Sequence, residues 1–140
     1  MDFNMKIKTG IDIIEVSRIK KAIETSNEAF IEKVFTKKEI EYCNSKVANK
    51  YEHFAARFAA KEACLKAISD LMESKFDISW KEIEIINLKN GKPALKIHKD
   101  IKDVESIDIS LSHVKEYAVA SVCILIAYNI YSLLVFKSYE

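Results

Sequence analysis

Two carboxylates in this chain stand where they could do chemistry. Asp12 lies near the end of the β-branched run KIKTGIDII, and Glu62 lies inside EHFAARFAAKEACLKAISD, flanked by Ala59, Ala60, Ala63 and Cys64. Those small neighbours leave space beside the Glu62 carboxylate. Each signal also has a plain structural reading. A carboxylate at a strand end often caps the next helix, and a Glu–Lys pair four apart, such as Glu62 and Lys66, adds about 0.2–0.5 kcal/mol to a helix surface. Arg57 and Lys61 repeat that spacing, so the four charges form either a solvated face or the wall of a phosphate site. His113 follows Ser110 and Ser112 at a strand end, where a lone histidine serves structure or catalysis. Asn90-Gly91-Lys92-Pro93 is a turn by its residue types.

The elements that must position these residues are readable from periodicity. Residues 6–14 suggest a strand with one tight backbone position at Gly10. Residues 15–24 place Val16, Ile19, Ala22 and Ile23 at helical spacing, with Arg18, Lys20, Lys21 and Glu24 outward. Thr36 followed by Glu39 is a capping-box signature that opens a helix reaching residue 44, with Phe35 as the apolar staple before it. Residues 52–70 form the clearest helix, and their alanines imply the close approach of another backbone. Residues 79–88 and 93–98 read as strands joined at Asn90-Gly91, with Pro93 near a strand start where it removes no ladder bond. Residues 107–111 and 117–124 add two more strands. The order of strand, helices, then strands predicts an α+β fold with helices packed on a mainly antiparallel sheet.

Composition narrows the class. The 140 residues allow one domain with a real core; 49% are hydrophobic and 31% charged, with two Gly and one Pro, as in a globular protein. A net charge of +1 gives no global field to hold nucleic acid, and none is expected as a partner. Cys43, Cys64 and Cys123 lack metal-binding spacing and read as idle thiols in a reducing compartment. The first residues carry no secretory pattern, so a cytoplasmic location is expected. Residues 117–136 are free of charge and could just span a bilayer in length. Their first half alternates like a strand, and Asn129 and Ser132 interrupt the second. A core or subunit-contact strand with an extension is therefore expected, rather than membrane contact.

Taken in order, these blocks resemble the holo-acyl-carrier-protein synthases of the 4′-phosphopantetheinyl transferase family. The match runs from Gly10-Ile11-Asp12-Ile13, through Arg18 and Phe35-Thr36-x-x-Glu39, to Arg57-Phe58-Ala59-Ala60-Lys61-Glu62-Ala63-x-x-Lys66-Ala67. It continues through Gly91-Lys92-Pro93 and Ser110-Leu111-Ser112-His113 to Ala118 and Ala120. The resemblance implies that family's fold over a domain of residues 1–124, followed by an apolar extension, 125–140. It implies transfer of 4′-phosphopantetheine from coenzyme A to a serine of apo acyl carrier protein, releasing adenosine 3′,5′-bisphosphate. A magnesium ion (Mg²⁺) would be held by Asp12 and Glu62, in keeping with the ion's use of one or two carboxylates plus water and phosphate oxygens. Lys66 would meet the diphosphate, and Arg57, Gly91, Lys92, Pro93, Ser112 and His113 the nucleotide end, with a catalytic role for His113 also conceivable. A homotrimer with sites between subunits follows from the same likeness, as does docking of the acidic carrier on Arg18, Lys20 and Lys21. Three features depart from the family's pattern. Residues 68–75 carry no Gly where a Gly-rich loop is usual, Thr25, Ser26, Asn27 and Glu28 replace basic residues after the first helix, and the tail has no counterpart. The competing expectation is a coenzyme A or nucleotide binding module without turnover.

Overall fold

A computed structural model describes residues 3–74 and 77–129. Strand β1 (Phe3–Glu15) leads into helices α1 (Val16–Thr25), α2 (Ala29–Val34), α3 (Lys37–Ser45) and α4 (Lys50–Ile68). A 3₁₀ turn, Trp80–Glu82, then precedes strands β2 (Ile83–Asn87), β3 (Pro93–Ile97), β4 (Val104–His113) and β5 (Tyr117–Asn129). One antiparallel sheet has the order β1-β5-β4, and β2 and β3 form a separate hairpin. The α+β architecture is thus as expected, and the charge-free run begins as the central strand of the sheet. Residues 125–129 continue that strand against β1, while the rest of the apolar extension, 130–140, lies outside the described residues. Among the described residues no helix is long and apolar enough to cross a membrane.

Alternation along β5 builds the core. Ala118, Ala120, Val122, Ile124 and Ile126 are buried, while Ser121 and Cys123 between them are exposed. Helix α4 lies across β1 and β5 on the buried face, and Ala59, Ala60, Ala63 and Ala67 pack there with the β5 side chains. Small residues bring the backbones close, and Gly10 takes this furthest: a Cβ added there would stand 1.8 Å from the Ala63 carbonyl oxygen. The alanine-rich helix and the tight backbone position, read separately from sequence, are two sides of one contact. Because side chains alternate along a strand, Asp12 shares Gly10's helix-facing side. The other side of β1 carries Met5, Ile7, Ile11 and Ile13, each at least 64% exposed.

A second cluster forms around Phe35, Phe54, Val34, Cys43 and Ile19 under α1, α2 and α3. The expected capping box is present: the Thr36 hydroxyl accepts from the Glu39 N–H and the Glu39 carboxylate from the Thr36 N–H. That carboxylate also accepts the Ile85 N–H and the ammonium of Lys61, 2.7 Å away. Lys61 donates further to the carbonyls of Val34 and Trp80 and is fully buried. It therefore belongs to neither a solvated face nor a phosphate wall; it ties α4 to α2, α3 and the 3₁₀ turn.

Two local expectations need correction. Residues 79–82 are a 3₁₀ turn and not the start of a strand, because Ser79 and Glu82 repeat the capping geometry, with the carboxylate accepting the Ser79 N–H at 2.6 Å. Helix α2 was not anticipated. It is six residues long, too short to display a period, and it starts where the Ser26 hydroxyl accepts the Phe30 N–H at 3.1 Å.

The Gly10 contact is testable. Gly10→Ala drives a methyl group into the Ala63 carbonyl and should cost at least about 1–3 kcal/mol in urea unfolding. A wild-type midpoint would contradict the close approach.

Candidate active site

Asp12, Glu62 and Lys66 come together where β1 meets α4. The Lys66 ammonium donates to Asp12 Oδ1 at 3.0 Å and to the Ile11 carbonyl at 2.9 Å. Lys66 thus reaches across to the strand and is more than a helix-surface partner of Glu62. Asp12 and Glu62 are both half-buried. Burial pushes the Glu62 carboxyl above its ordinary range, the charge of Asp12 pushes the same way, and Lys66 opposes both. The site opens onto a cavity of about 780 Å³ lined by Lys33, Glu62, Leu65, Lys66, Ser79 and Trp80, among others.

A Glu62 carboxylate disfavoured by the charge of Asp12 forms with it a fitting donor pair for a hard divalent cation. Among the described residues no group of three or more His, Cys, Asp or Glu side chains could hold a metal. A two-carboxylate set suits an ion that fills the rest of its shell from water and substrate phosphate, which is the habit of Mg²⁺.

The remaining predicted residues lie toward the other end of α4. Arg57 is 2% exposed, with its guanidinium 4.0 Å from the centroid of the Tyr42 ring and Nη2 donating to Asn87 Oδ1 at 2.6 Å. The Asn87 amide donates in turn to the Gly91 carbonyl at 3.3 Å, so Arg57 reaches the Gly91-Lys92-Pro93 turn through Asn87. Gly91 has φ of +85°, a conformation that suits glycine, and its surroundings are open. Pro93 opens β3 opposite Asn87, and the Lys92 ammonium pairs with the exposed Asp108 at 3.1 Å. Ser112 is exposed on β4, paired with Val119. His113 ends β4, where Nδ1 meets Glu52 Oε2 at 2.7 Å and the ring packs on His53. Glu52 and Glu62 are ten residues apart on one helix, which is about 15 Å of axis. Within one chain, therefore, the site residues fall into two groups. Sequence reasoning missed Asn87, Glu52 and the cavity-lining Lys33 and Trp80. Asn87 and Glu52 meet Arg57 and His113 from 30 and 61 residues away, and no local pattern marks the four.

The chain is similar to known proteins over most of its length. Residues 8–122 match the family model of the 4′-phosphopantetheinyl transferase superfamily. The chain is 46% identical over 122 residues to a holo-[acyl-carrier-protein] synthase of Ruminiclostridium cellulolyticum, covering 83% of this chain and 90% of that protein. It is 44% identical over 120 residues to the enzyme of the same name from Chloroherpeton thalassium, covering 84% and 97%. The fold is similar to the crystal structure of the Bacillus anthracis synthase in complex with coenzyme A (3′,5′-ADP), with a TM-score of 0.72 and 35% identity over 87% of this chain and 98% of that one. It is similar also to the Helicobacter pylori synthase in complex with coenzyme A, with a TM-score of 0.72 and 29% identity, covering 83% and 98%. The chain belongs to the 4′-phosphopantetheinyl transferase superfamily.

Glu62 offers a direct readout of the site. In metal-free protein its carboxyl should titrate above the ordinary value of 4.5, and Asp12→Asn should move it down, because Asp12 is one cause of the rise. Carbon-13 NMR of the Glu62 side chain checks both; a midpoint insensitive to Asp12 would refute the pairing.

Proposed function

We propose that this chain is a holo-[acyl-carrier-protein] synthase. It transfers 4′-phosphopantetheine from coenzyme A to a serine of apo acyl carrier protein and releases adenosine 3′,5′-bisphosphate. The observation that carries this reading is the meeting of Asp12, Glu62 and Lys66 where β1 joins α4, with Glu62 and Lys66 lining one cavity, in a chain whose relatives carry that activity in their names.

The serine oxygen attacks the β-phosphorus of coenzyme A, a P–O bond to the carrier forms, and the bond to the leaving bisphosphate breaks. Such a displacement asks the protein chiefly to position groups and neutralise charge. Lys66 is placed to face the diphosphate, and Asp12 orients it through the bond at 3.0 Å. Glu62, on the cavity wall, is placed to accept the serine proton, directly or through a water. Asp12 and Glu62 would hold Mg²⁺, which when bound would offset the charge of the diphosphate. Arg57 would act on the nucleotide end by bracing the Gly91-Lys92-Pro93 turn through Asn87, while His113, with Ser112 beside it, holds the 3′-phosphate.

A homotrimer with sites between subunits is supported by two features. The outer face of β1 leaves Met5, Ile7, Ile11 and Ile13 uncovered, and His113 stands too far along α4 to share the Glu62 site of its own chain. A second copy that covers the face could also bring the two groups together. The exposed Arg18, Lys20 and Lys21 on α1 form the docking surface for the acidic carrier. Residence in the cytoplasm accords with free Cys43, Cys64 and Cys123. The alternative of a binding module without turnover rests on the Gly-less segment 68–75, and the intact Asp12–Lys66–Glu62 arrangement speaks against it.

Incubation with coenzyme A, Mg²⁺ and apo carrier, followed by mass spectrometry of the carrier, should show one phosphopantetheine per serine, and chelation should abolish it. Asp12→Asn and Glu62→Gln should each lower kcat/KM by about 10²–10³-fold while the protein stays folded. Full activity of either variant would refute the assignment, and coenzyme binding without transfer would favour the module.

Carrier docking has its own test. Reversing Lys20 and Lys21 to Glu should raise KM for the carrier by about tenfold, and added salt should do the same to the wild type. An unchanged KM would remove α1 from the docking surface.

A further inference from the structure

Of the side chains around the nucleotide end, Glu52 has no place in the scheme above, yet its carboxylate lies 2.7 Å from His113 Nδ1. The contact joins the first turn of α4 to the last residue of β4. Both groups are largely shielded, at 20% and 26% side-chain exposure, so the bond is not a solvent-loosened surface pair. An ionised carboxylate only accepts hydrogen bonds, so Nδ1 must carry a proton to satisfy it. That leaves Nε2 as the nitrogen free to meet a ligand. A fully ionised phosphate also only accepts, so Nε2 holds it as a donor, with a proton of its own. The imidazole that bridges Glu52 and a phosphate is therefore the doubly protonated cation, with a carboxylate on one side and the ligand on the other. His53 packs edge-on against the His113 ring, at 5.0 Å between ring centroids. Burial pushes its pKa below the ordinary range, as do the charges of His113, Arg57 and Lys46, while Glu52 opposes the shift.

We infer that Glu52 is a positioning residue for the donor substrate: it fixes the ring orientation of His113 and supports its charge, and thereby tunes recognition of the 3′-phosphate of coenzyme A. The inference rests on the reading of His113 given under the proposed function. Partners that orient a metal-ligating histidine are typically worth about 10–100-fold in affinity or activity, and an effect of the same order is expected for a phosphate-holding one.

Glu52 also sits in the first turn of α4, where an acidic side chain favours the helix for purely structural reasons. A structural role would affect all donors alike, so the test compares two. Glu52→Gln should raise KM for coenzyme A by about tenfold relative to KM for the same donor lacking its 3′-phosphate. An unchanged ratio between the two donors would overturn the inference. His113→Ala separates this from the underlying reading. If it too fails to alter the ratio, His113 does not hold the 3′-phosphate and the reading beneath falls. If it alters the ratio while Glu52→Gln does not, only the role of Glu52 falls. Should the Glu52 variant not fold, the wild type decides. Long-range proton–nitrogen NMR should show His113 Nδ1 protonated across the pH range of activity, and an unprotonated Nδ1 would overturn the assignment.

Discussion

The arrangement depends on one close approach. Gly10 has no Cβ, and none could be accommodated, because the Ala63 carbonyl oxygen occupies the space where it would stand. This contact seats α4 on β1, and the alternation of the strand then turns Asp12 toward the helix, where Lys66 reaches it. Ala59, Ala60 and Ala67 continue the small-residue surface along which the helix lies. The site's geometry is thus set by backbone packing before any side chain of the site makes a bond. A bulkier residue in this contact would push Asp12 away from Glu62, since the two have no sequence proximity to keep them together.

Lys61 and Glu62 show how the same helix serves two ends. Neighbours in an α-helix point about 100° apart, since a full turn takes 3.6 residues. Lys61 turns inward and is fully buried, and Glu62 turns to the cavity. Burial of the Lys61 ammonium works against its charge, lowering its pKa, and Glu39 opposes that shift. Such a pair is weak evidence for net stability, because desolvation can exceed the attraction. Its effect here is geometric: Lys61 donates to the Val34 and Trp80 carbonyls as well as to Glu39, and Glu39 accepts the Ile85 N–H. Helix α4 can be held by this hub on one side and present Glu62 and Lys66 on the other.

What was legible in the sequence was what is local. The capping box of Thr36 and Glu39, the turn at Asn90-Gly91 and the alternation of β5 are short-range patterns, and the structure contains them. Asp12 and Glu62 could be paired only through the resemblance that the block Arg57–Ala67 carries, since nothing local links a strand end to a helix interior. The misreadings have separate origins. Ser79 and Glu82 carry the signature already recognised at Thr36 and Glu39, but the apolar residues that follow made the segment read as strand. Lys61 and Arg57 read as either a solvated face or the wall of a phosphate site because their partners, Glu39 and Asn87, are 22 and 30 residues away. A buried charge announces itself through its partner, and a partner at that distance leaves no pattern.

The outer face of the sheet bears on how the two groups of the site could meet. Met5, Ile7, Ile11 and Ile13 line one side of β1 in the open. Fully burying side chains of this kind is worth about 1.5–3 kcal/mol each, or roughly 6–12 kcal/mol for the four. Association costs about 4–15 kcal/mol in lost freedom, so the strand alone would hold copies together only marginally. Val114 and Tyr117, exposed around the bend between β4 and β5, extend the apolar surface to the element that carries His113. An interface that recruits them would gain the energy it lacks and would draw His113 into the contact. Association through this surface, were it to occur, would bring the element that carries His113 into the contact.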